Sequence, residues 1–285
     1  MRKILLLFIG AFFCFNNFIQ AEEKTIVFDL GDTLIITDEL AASYQTGIFK
    51  FANYIVHNPS HLTRITRISY ILEERLFAIF DTIEPRHPDE VIIHNAHELL
   101  LPQLMCSWMK GERNSAETYA LIKHTLQAHP EYCSSNAEHA LILQLSHVIF
   151  TPAVFVATRK LVPGALEFVQ QCKQQGYRIA ILSNWDVESF ALIQQRFHEL
   201  FDLVDDIVIS GITGFLKPDP RAYQALLQRQ PSIGVHSYIF IDDRPENTTA
   251  AQHIGMHALL CPLNKKVPDL FALACQLQAP LSVCL

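Results

Sequence analysis

Basic charge is scarce in this chain. Twenty-two lysines and arginines face 29 aspartates and glutamates, leaving a formal charge of −7 and a pI near 6.0. Proteins that bind nucleic acid concentrate Lys and Arg against the phosphate backbone, so no nucleic-acid partner is expected. A small anionic substrate stays compatible, because a local site can be positive inside a negative protein. Metal-binding cysteine patterns are missing as well: the seven cysteines form no CxxC pair and no Cys/His ligand spacing. There is no HExxH sequence, no internal repeat and no low-complexity tract. Beyond the first fifteen residues no apolar run is long enough to cross a bilayer.

What stands at the N-terminus is a basic start, Met1-Arg2-Lys3, followed by the apolar run Ile4 to Phe15 and by Ile19-Gln20-Ala21 before Glu22. This reads as a secretory signal over residues 1–21, with the mature chain starting near Glu22 and no stable membrane insertion after cleavage. Export to a periplasmic or extracellular location is the expectation, a cytoplasmic protein the alternative. Cys14 would leave with the signal. An oxidising compartment permits disulfides such as Cys106 with Cys133 or Cys275 with Cys284, while Cys172 and Cys261 read as buried free thiols.

With half of its residues hydrophobic, 18% charged and 285 in all, the chain is globular. From Asp38 the pattern is helical, over Glu39 to Val56, His61 to Phe80, Pro88 to Met109, Asn114 to His129 and Asn136 to Phe150. Asn114 with Glu117 forms a capping box, and Pro102 should kink or split the third helix. This stretch carries nine of the thirteen histidines, among them the close pairs His57/His61 and His94/His97. No carboxylate completes a known ligand signature around them, so solvated or core histidines are expected there.

Around this helical stretch the sequence alternates strands and helices. Ile26-Val27-Phe28 runs into Asp29 and a Gly-containing turn. Arg178 to Leu182, Asp206 to Ser210, Tyr238 to Ile241 and His257 to Cys261 are four more strands separated by helices. Five such units make an α/β, doubly wound parallel sheet of the Rossmann-like kind. The helical stretch then becomes a cap inserted after the first strand, giving a core of residues 22–36 plus 155–285 and a cap of residues 37–154. Ligands bind such sheets outside the carboxyl ends of the strands. Asp29, Ser183-Asn184, Lys217 and Asp242-Asp243 all lie at strand ends or in the loops beyond them. Together they offer a carboxylate nucleophile, a hydroxyl and an amide for an anion, a cation, and a carboxylate cluster for a hard divalent ion, which is what phosphoryl transfer to a carboxylate requires.

The motif order DxGDT, LSN, KPDP and FIDDRPEN resembles that of the haloacid dehalogenase superfamily, over residues 24 to 36 and roughly 155 to 262. Leu161-Val162-Pro163-Gly164, Leu182-Ser183-Asn184-Trp185, Gly214 to Pro220 and Phe240 to Asn247 resemble its phosphatase branch related to α-D-glucose-1-phosphate phosphatase. The resemblance implies a Mg²⁺-dependent phosphomonoesterase in which Asp29 becomes aspartyl-phosphate. It implies that Ser183, Asn184 and Lys217 hold the phosphoryl group, and that Mg²⁺ sits on Asp29, Asp243 and the carbonyl of Gly31, with Asp242 adjacent or in support. The implied substrate is a small phosphorylated metabolite such as a sugar phosphate. One position departs: most members carry a second Asp two residues after the nucleophile, where this chain has Gly31 and then Asp32. General acid–base help is worth about 10²–10⁴-fold, so its loss would favour good leaving groups unless Asp32 substitutes. The alternatives are a catalytically weak protein that binds a phosphorylated ligand or a partner, and, against the acidic pair Asp242-Asp243, a haloacid dehalogenase.

Overall fold

The structure, a computed structural model, describes residues 24–61, 67–95, 97–264 and 267–277. The expected signal segment, and Cys14 and Cys284 with it, lie outside these residues. Five parallel strands form the central sheet: β1 (Thr25–Phe28), β4 (Arg178–Ser183), β5 (Asp206–Ile209), β6 (Tyr238–Asp242) and β7 (His257–Leu260), in the order β5-β4-β1-β6-β7. A strand buried between parallel neighbours must be apolar on both faces, and β1 is. Ile26 and Phe28 pack with Phe168 and Ile193 on one side of the sheet, whereas Val27 packs with Tyr223 and Phe240 on the other.

Phe28 is in register with Ile181 of β4 and with Ile241 of β6, and the Asp29 amide donates to the Ile241 carbonyl at 2.9 Å. The ends of the three central strands therefore coincide. The chain runs outward from β1 through β4 to β5 and then returns to the other side of β1 as β6. Asp29 consequently sits where the strand order reverses, the place at which open α/β sheets bind ligands.

After the turn 30–34 the short strands β2 (Ile35–Thr37) and β3 (Arg159–Leu161) pair antiparallel, forming the ribbon by which the chain leaves for its helical segment and returns. Between them lie α1 (Glu39–Thr46), α2 (Ile48–His57), α3 (Ile68–Ile83), α4 (Gln103–Met109), α5 (Ser115–Ala128), α6 (Asn136–Phe150) and α7 (Pro152–Ala157). The core completes itself with α8 (Ala165–Gln174), α9 (Val187–Arg196), α10 (His198–Phe201), α11 (Ser210–Thr213), α12 (Pro220–Leu227), α13 (Pro245–Ile254) and α14 (Leu270–Gln276). No helix among the described residues is long and apolar enough to cross a membrane.

The helical segment departs from the sequence reading in three places. The expected helix from Glu39 to Val56 is broken at Gly47, whose φ of 83° ends α1 before α2 begins. α3 runs from Ile68 to Ile83 in place of His61 to Phe80. The expected helix from Pro88 to Met109 is helical only from Gln103; residues 85–95 and 97–101 are irregular, and Arg86 holds them by donating to the carbonyls of Leu101 and Val91. Asn95 tightens the same loop, its Oδ1 accepting from the amides of His97 and Leu99. The capping box at Asn114 and Glu117 is formed.

The cysteines are simpler than an oxidising compartment would allow. Cys106 and Cys133 are both buried and both free, so that expected bridge is not made, and Cys275 is also free. Burial raises the Cys106 thiol to about 12 and the Cys133 thiol to about 11, which keeps both protonated and inert. Cys172 and Cys261 are buried free thiols, as read from the sequence.

Candidate active site

The strand-end residues meet in one place. Ser183 Oγ donates to Asp29 Oδ1 at 2.8 Å, and Lys217 Nζ donates to the same oxygen at 2.7 Å and to Asp242 Oδ2 at 2.6 Å. One oxygen of Asp29 is thereby fixed by two donors, while Oδ2 carries no hydrogen bond among the described residues. Lys217 itself is buried. Burial opposes its charge, but Asp242 and Asp29 outweigh that effect and raise its pKa, so it is an ammonium at any working pH.

Asn184 and Asp242 have positions that the sequence did not show. Asn184 Nδ2 donates to the Lys217 carbonyl at 2.9 Å and its Oδ1 accepts from the Lys217 amide at 2.7 Å, so the side chain clamps the lysine's main chain. Asp242 is 0% exposed. Its Oδ1 accepts from the Arg244 amide, both oxygens accept from Asn247 Nδ2, and Oδ2 holds Lys217. Its lone pairs are committed to orienting the lysine. Asp243 is the opposite case: it lines the cavity above Asp29 and has no hydrogen-bond or ion-pair partner among the described residues. Burial, with Asp29, Asp242 and Asp32 nearby, pushes its carboxyl up to about 8. Asp29 is pushed up to about 6 by burial, against the pull of Lys217.

This imbalance is what a divalent cation would relieve. Carboxylate oxygens of Asp29, Asp242 and Asp243 lie within 4.8 Å of one another, the only such cluster of possible ligands among the described residues. One lysine does not neutralise them. The Gly31 carbonyl accepts no hydrogen bond among the described residues and lies on the same turn, so the donor set available to a hard ion is all oxygen: Asp29, Asp243 and Gly31. The residues present fit Mg²⁺. The cap histidines do not gather: His97 pairs with Glu73, His57 with the carbonyl of Asn53, and His61 with the Tyr54 hydroxyl.

Asp32 adopts the left-handed region, φ 53°, which Asp tolerates better than most residues. That turn brings its side chain into the cavity with Asp29. Water reaches it, yet protein encloses it on the other sides and raises its pKa, against the opposing pull of Arg159 and Arg244. Gly31 has no positive φ, and a Cβ built there would meet nothing nearer than Asp29 Oδ2 at 4.0 Å.

A cavity of about 280 Å³ rises from these residues between the sheet ends and the helical segment. The cap and linker contributions to it were not legible in the sequence, among them Asn95 in the irregular loop, Trp108 on α4, Phe155 on α7 and Arg159 on β3. Their signal was weak, because loop and cap residues follow no strand-end rule. Arg244 was quoted within its motif but given no task; it donates to the Asn95 carbonyl at 2.8 Å, tying the core to the cap loop.

A family model described as haloacid dehalogenase-like hydrolase matches residues 23–255. The chain belongs to that family. Among curated relatives, Phosphatase MT3486 of Mycobacterium tuberculosis is 30% identical over 107 residues, which are 38% of this chain and 49% of that protein. Sesquiterpene phosphatase astK of Aspergillus oryzae is 33% identical over 91 residues, 32% of this chain and 45% of that protein. The matched stretches thus span less than half of either relative. Among solved structures, the HAD family enzyme bt-2542 of Bacteroides thetaiotaomicron, in complex with magnesium and inorganic phosphate, superposes with a TM-score of 0.52 at 16% identity. That match covers 84% of this chain and 94% of that one. At this identity the likeness establishes the fold: a Rossmann-like α/β sheet of the haloacid dehalogenase type.

Proposed function

We propose that this family member is a Mg²⁺-dependent phosphomonoester hydrolase working through an aspartyl-phosphate. The observation that carries the reading is the state of Asp29. Its carboxylate stands at the end of the central strand with Oδ1 fixed by Ser183 and Lys217, while Oδ2 and the neighbouring carboxyl of Asp243 have no partner among the described residues. The family and the phosphatases among its relatives support it. The relatives' names do not agree on a leaving group, one specifying a sesquiterpene and another glyceraldehyde 3-phosphate, so no substrate passes from them to this chain.

In this reading the Asp29 carboxylate attacks phosphorus, the ester P–O bond breaks, and the departing oxygen takes a proton. Lys217 and Ser183 offset the charge that Asp29 and the phosphoryl group bring together, and Asn184 keeps Lys217 in place through its main chain. Asp32 supplies the leaving group's proton and then accepts one from the water that attacks phosphorus, releasing inorganic phosphate and restoring Asp29. Mg²⁺ on Asp29, Asp243 and the Gly31 carbonyl would neutralise the phosphoryl oxygens. Asp242 acts behind this set, on Lys217.

The test is phosphate release from 4-nitrophenyl phosphate by purified protein, with Mg²⁺ or with EDTA, beside halide release from a haloacid. Turnover that EDTA stops and Asp29→Asn abolishes supports the reading. No turnover would favour a protein that only binds phosphorylated ligands, and halide release would favour a dehalogenase.

A further inference from the structure

The apolar side chains lining the cavity are Ile35, Ile93, Leu101, Trp108, Met109, Phe155 and Trp185, beside the polar His94, Asn95, Asp186, Arg244 and Glu246. The two indoles offer it no free donor, because Trp108 Nε1 donates to Ser115 Oγ at 3.1 Å and Trp185 Nε1 to Ser189 Oγ at 2.9 Å. Phe155 bridges them edge to face, its ring centroid 6.3 Å from that of Trp108 and 5.9 Å from that of Trp185. Sugar hydroxyls turned toward these apolar side chains would lose their water without gaining a partner.

Three cations line the cavity: Lys217 is paired with Asp29 and Asp242 and Arg244 with Glu246, which leaves Arg159. The Arg159 guanidinium lies 4.0 Å from the centroid of Phe155 and donates from Nη1 to Thr37 Oγ1. Its Nε is buried with no hydrogen-bond partner, and no carboxylate among the described residues comes within ion-pair distance, Asp32 included. Burial pulls its pKa down to about 10, so the charge persists at neutral pH. Asn95, across the same cavity, has a buried Nδ2 that is likewise unpaired. Buried donors normally find acceptors, and a buried guanidinium normally finds an anion.

We infer that the substrate's leaving group is an apolar, preferably aromatic frame bearing a second anionic oxygen group, carboxylate or phosphoryl, which Arg159 receives. This rests on the phosphatase reading and specifies its substrate class. The frame stacks among Phe155, Trp108 and Trp185 while the ester phosphate sits on Asp29, and the distal anion supplies the direct ion-pair partner that Arg159 lacks among the described residues.

The experiment compares kcat/KM, with Mg²⁺, for phenyl phosphate, 4-carboxyphenyl phosphate, 4-phosphonophenyl phosphate and glucose 6-phosphate, with 4-nitrophenyl phosphate as reference. At least one of the two doubly anionic aryl esters should exceed phenyl phosphate by about ten- to a hundredfold, the size of a charge-assisted hydrogen bond, and glucose 6-phosphate should trail all three. The two acidic esters decide between carboxylate and phosphoryl. In Arg159→Gln the preference for the doubly anionic ester should collapse toward unity, and Arg159→Lys should restore part of it. An undiminished preference in folded Arg159→Gln, no preference in the wild type, or a preference for the sugar phosphate overturns the inference. Should Arg159→Gln fail to fold, the wild-type ratios and Arg159→Lys still decide. Absence of Mg²⁺-dependent turnover on every ester, 4-nitrophenyl phosphate included, would instead bring down the phosphatase reading and this inference with it.

Discussion

Lys217 donates at 2.6 Å to Asp242, a carboxylate with no exposed surface, and at 2.7 Å to Asp29. The three side chains form a buried ionic triad, two carboxylates on one ammonium. Removing the lysine would strand two carboxylates inside the protein, and an uncompensated buried charge costs about 3–5 kcal/mol. Lys217→Ala should therefore lower the denaturant midpoint strongly as well as abolish phosphate release. Because Asp242 does not line the cavity whereas Asp29 does, Mg²⁺ should restore only the part of the lost stability that comes from Asp29. Asp242→Asn keeps an acceptor for Lys217 and should cost less. A Lys217→Ala protein as stable as wild type would contradict the committed role given to Asp242.

The metal-free site should be sensitive to pH in a definite direction. Asp243, raised to about 8, and Asp29, raised to about 6, hold protons in the folded protein that the unfolded chain releases near 3.8. The folded state binds more protons across that window, so the stability these groups contribute is fully present below about 3.8 and is lost as pH rises through 6 and then 8. Mg²⁺ competes with those protons and replaces their charge. The rise in Tm on adding Mg²⁺, measured against EDTA, should grow from pH 5.5 to pH 8.5. A shift that is flat or shrinks over that range would mean that Asp243 is not a ligand.

The closeness of cap and core can be tested at one glycine. Gly111, just after α4, has φ 73°, and a Cβ there would lie 2.4 Å from the Gly211 carbonyl oxygen on α11. The neighbouring Met109 carbonyl accepts from Ser210 Oγ at 2.7 Å, so this seat fixes Trp108 and Met109 over the site. Gly176, with φ 87° and nothing within 4 Å, is the control for conformation alone. Alanine at either position costs about 1–2 kcal/mol for the left-handed backbone. Gly111→Ala should cost measurably more than Gly176→Ala in thermal melts and should lower kcat/KM, because backbone must shift to admit the methyl. Equal losses would show that the seat is loose.

What the sequence made legible follows from how strands work. A buried parallel strand is an apolar run ending in polar residues, so Ile26-Val27-Phe28-Asp29 and Ile239-Phe240-Ile241-Asp242 announced both the sheet and the carboxylates at its edge. The division of labour between Asp242 and Asp243 was not legible. Adjacent residues point to opposite sides, and which side holds the lysine is fixed only by the loop from Gly214 to Pro220 coming from a distant part of the chain. Nor was the irregular stretch before α4, whose apolar residues mimic a helix although Arg86 and Asn95 spend their hydrogen bonds holding it irregular. Arg159 was hidden for a third reason: on β3 it looks like an ordinary strand residue, and its cavity exists only once α4 and α7 have packed.

The proton on the leaving group is the last question, and Asp32 and Gly31 answer it differently. Asn tolerates the left-handed backbone about as well as Asp, so Asp32→Asn removes the ionisable group without straining the φ of 53°. An alkyl oxygen leaves badly without a proton, whereas 4-nitrophenolate needs none. Asp32→Asn should therefore depress kcat for alkyl phosphates more than for 4-nitrophenyl phosphate, with the difference bounded by the general acid factor of about 10²–10⁴. Placing an Asp at Gly31 in that variant should recover part of the loss, since the position has no positive φ and room for a Cβ 4.0 Å from Asp29 Oδ2. The added carboxylate crowds an already negative cluster, so Gly31→Asp should also lower Tm in EDTA and regain it with Mg²⁺. Equal losses on both substrates in Asp32→Asn would remove Asp32 from the proton transfer. If Gly31→Asp then restored alkyl phosphate turnover, the wild-type site would be one that runs without an acid and depends on the leaving group to depart alone.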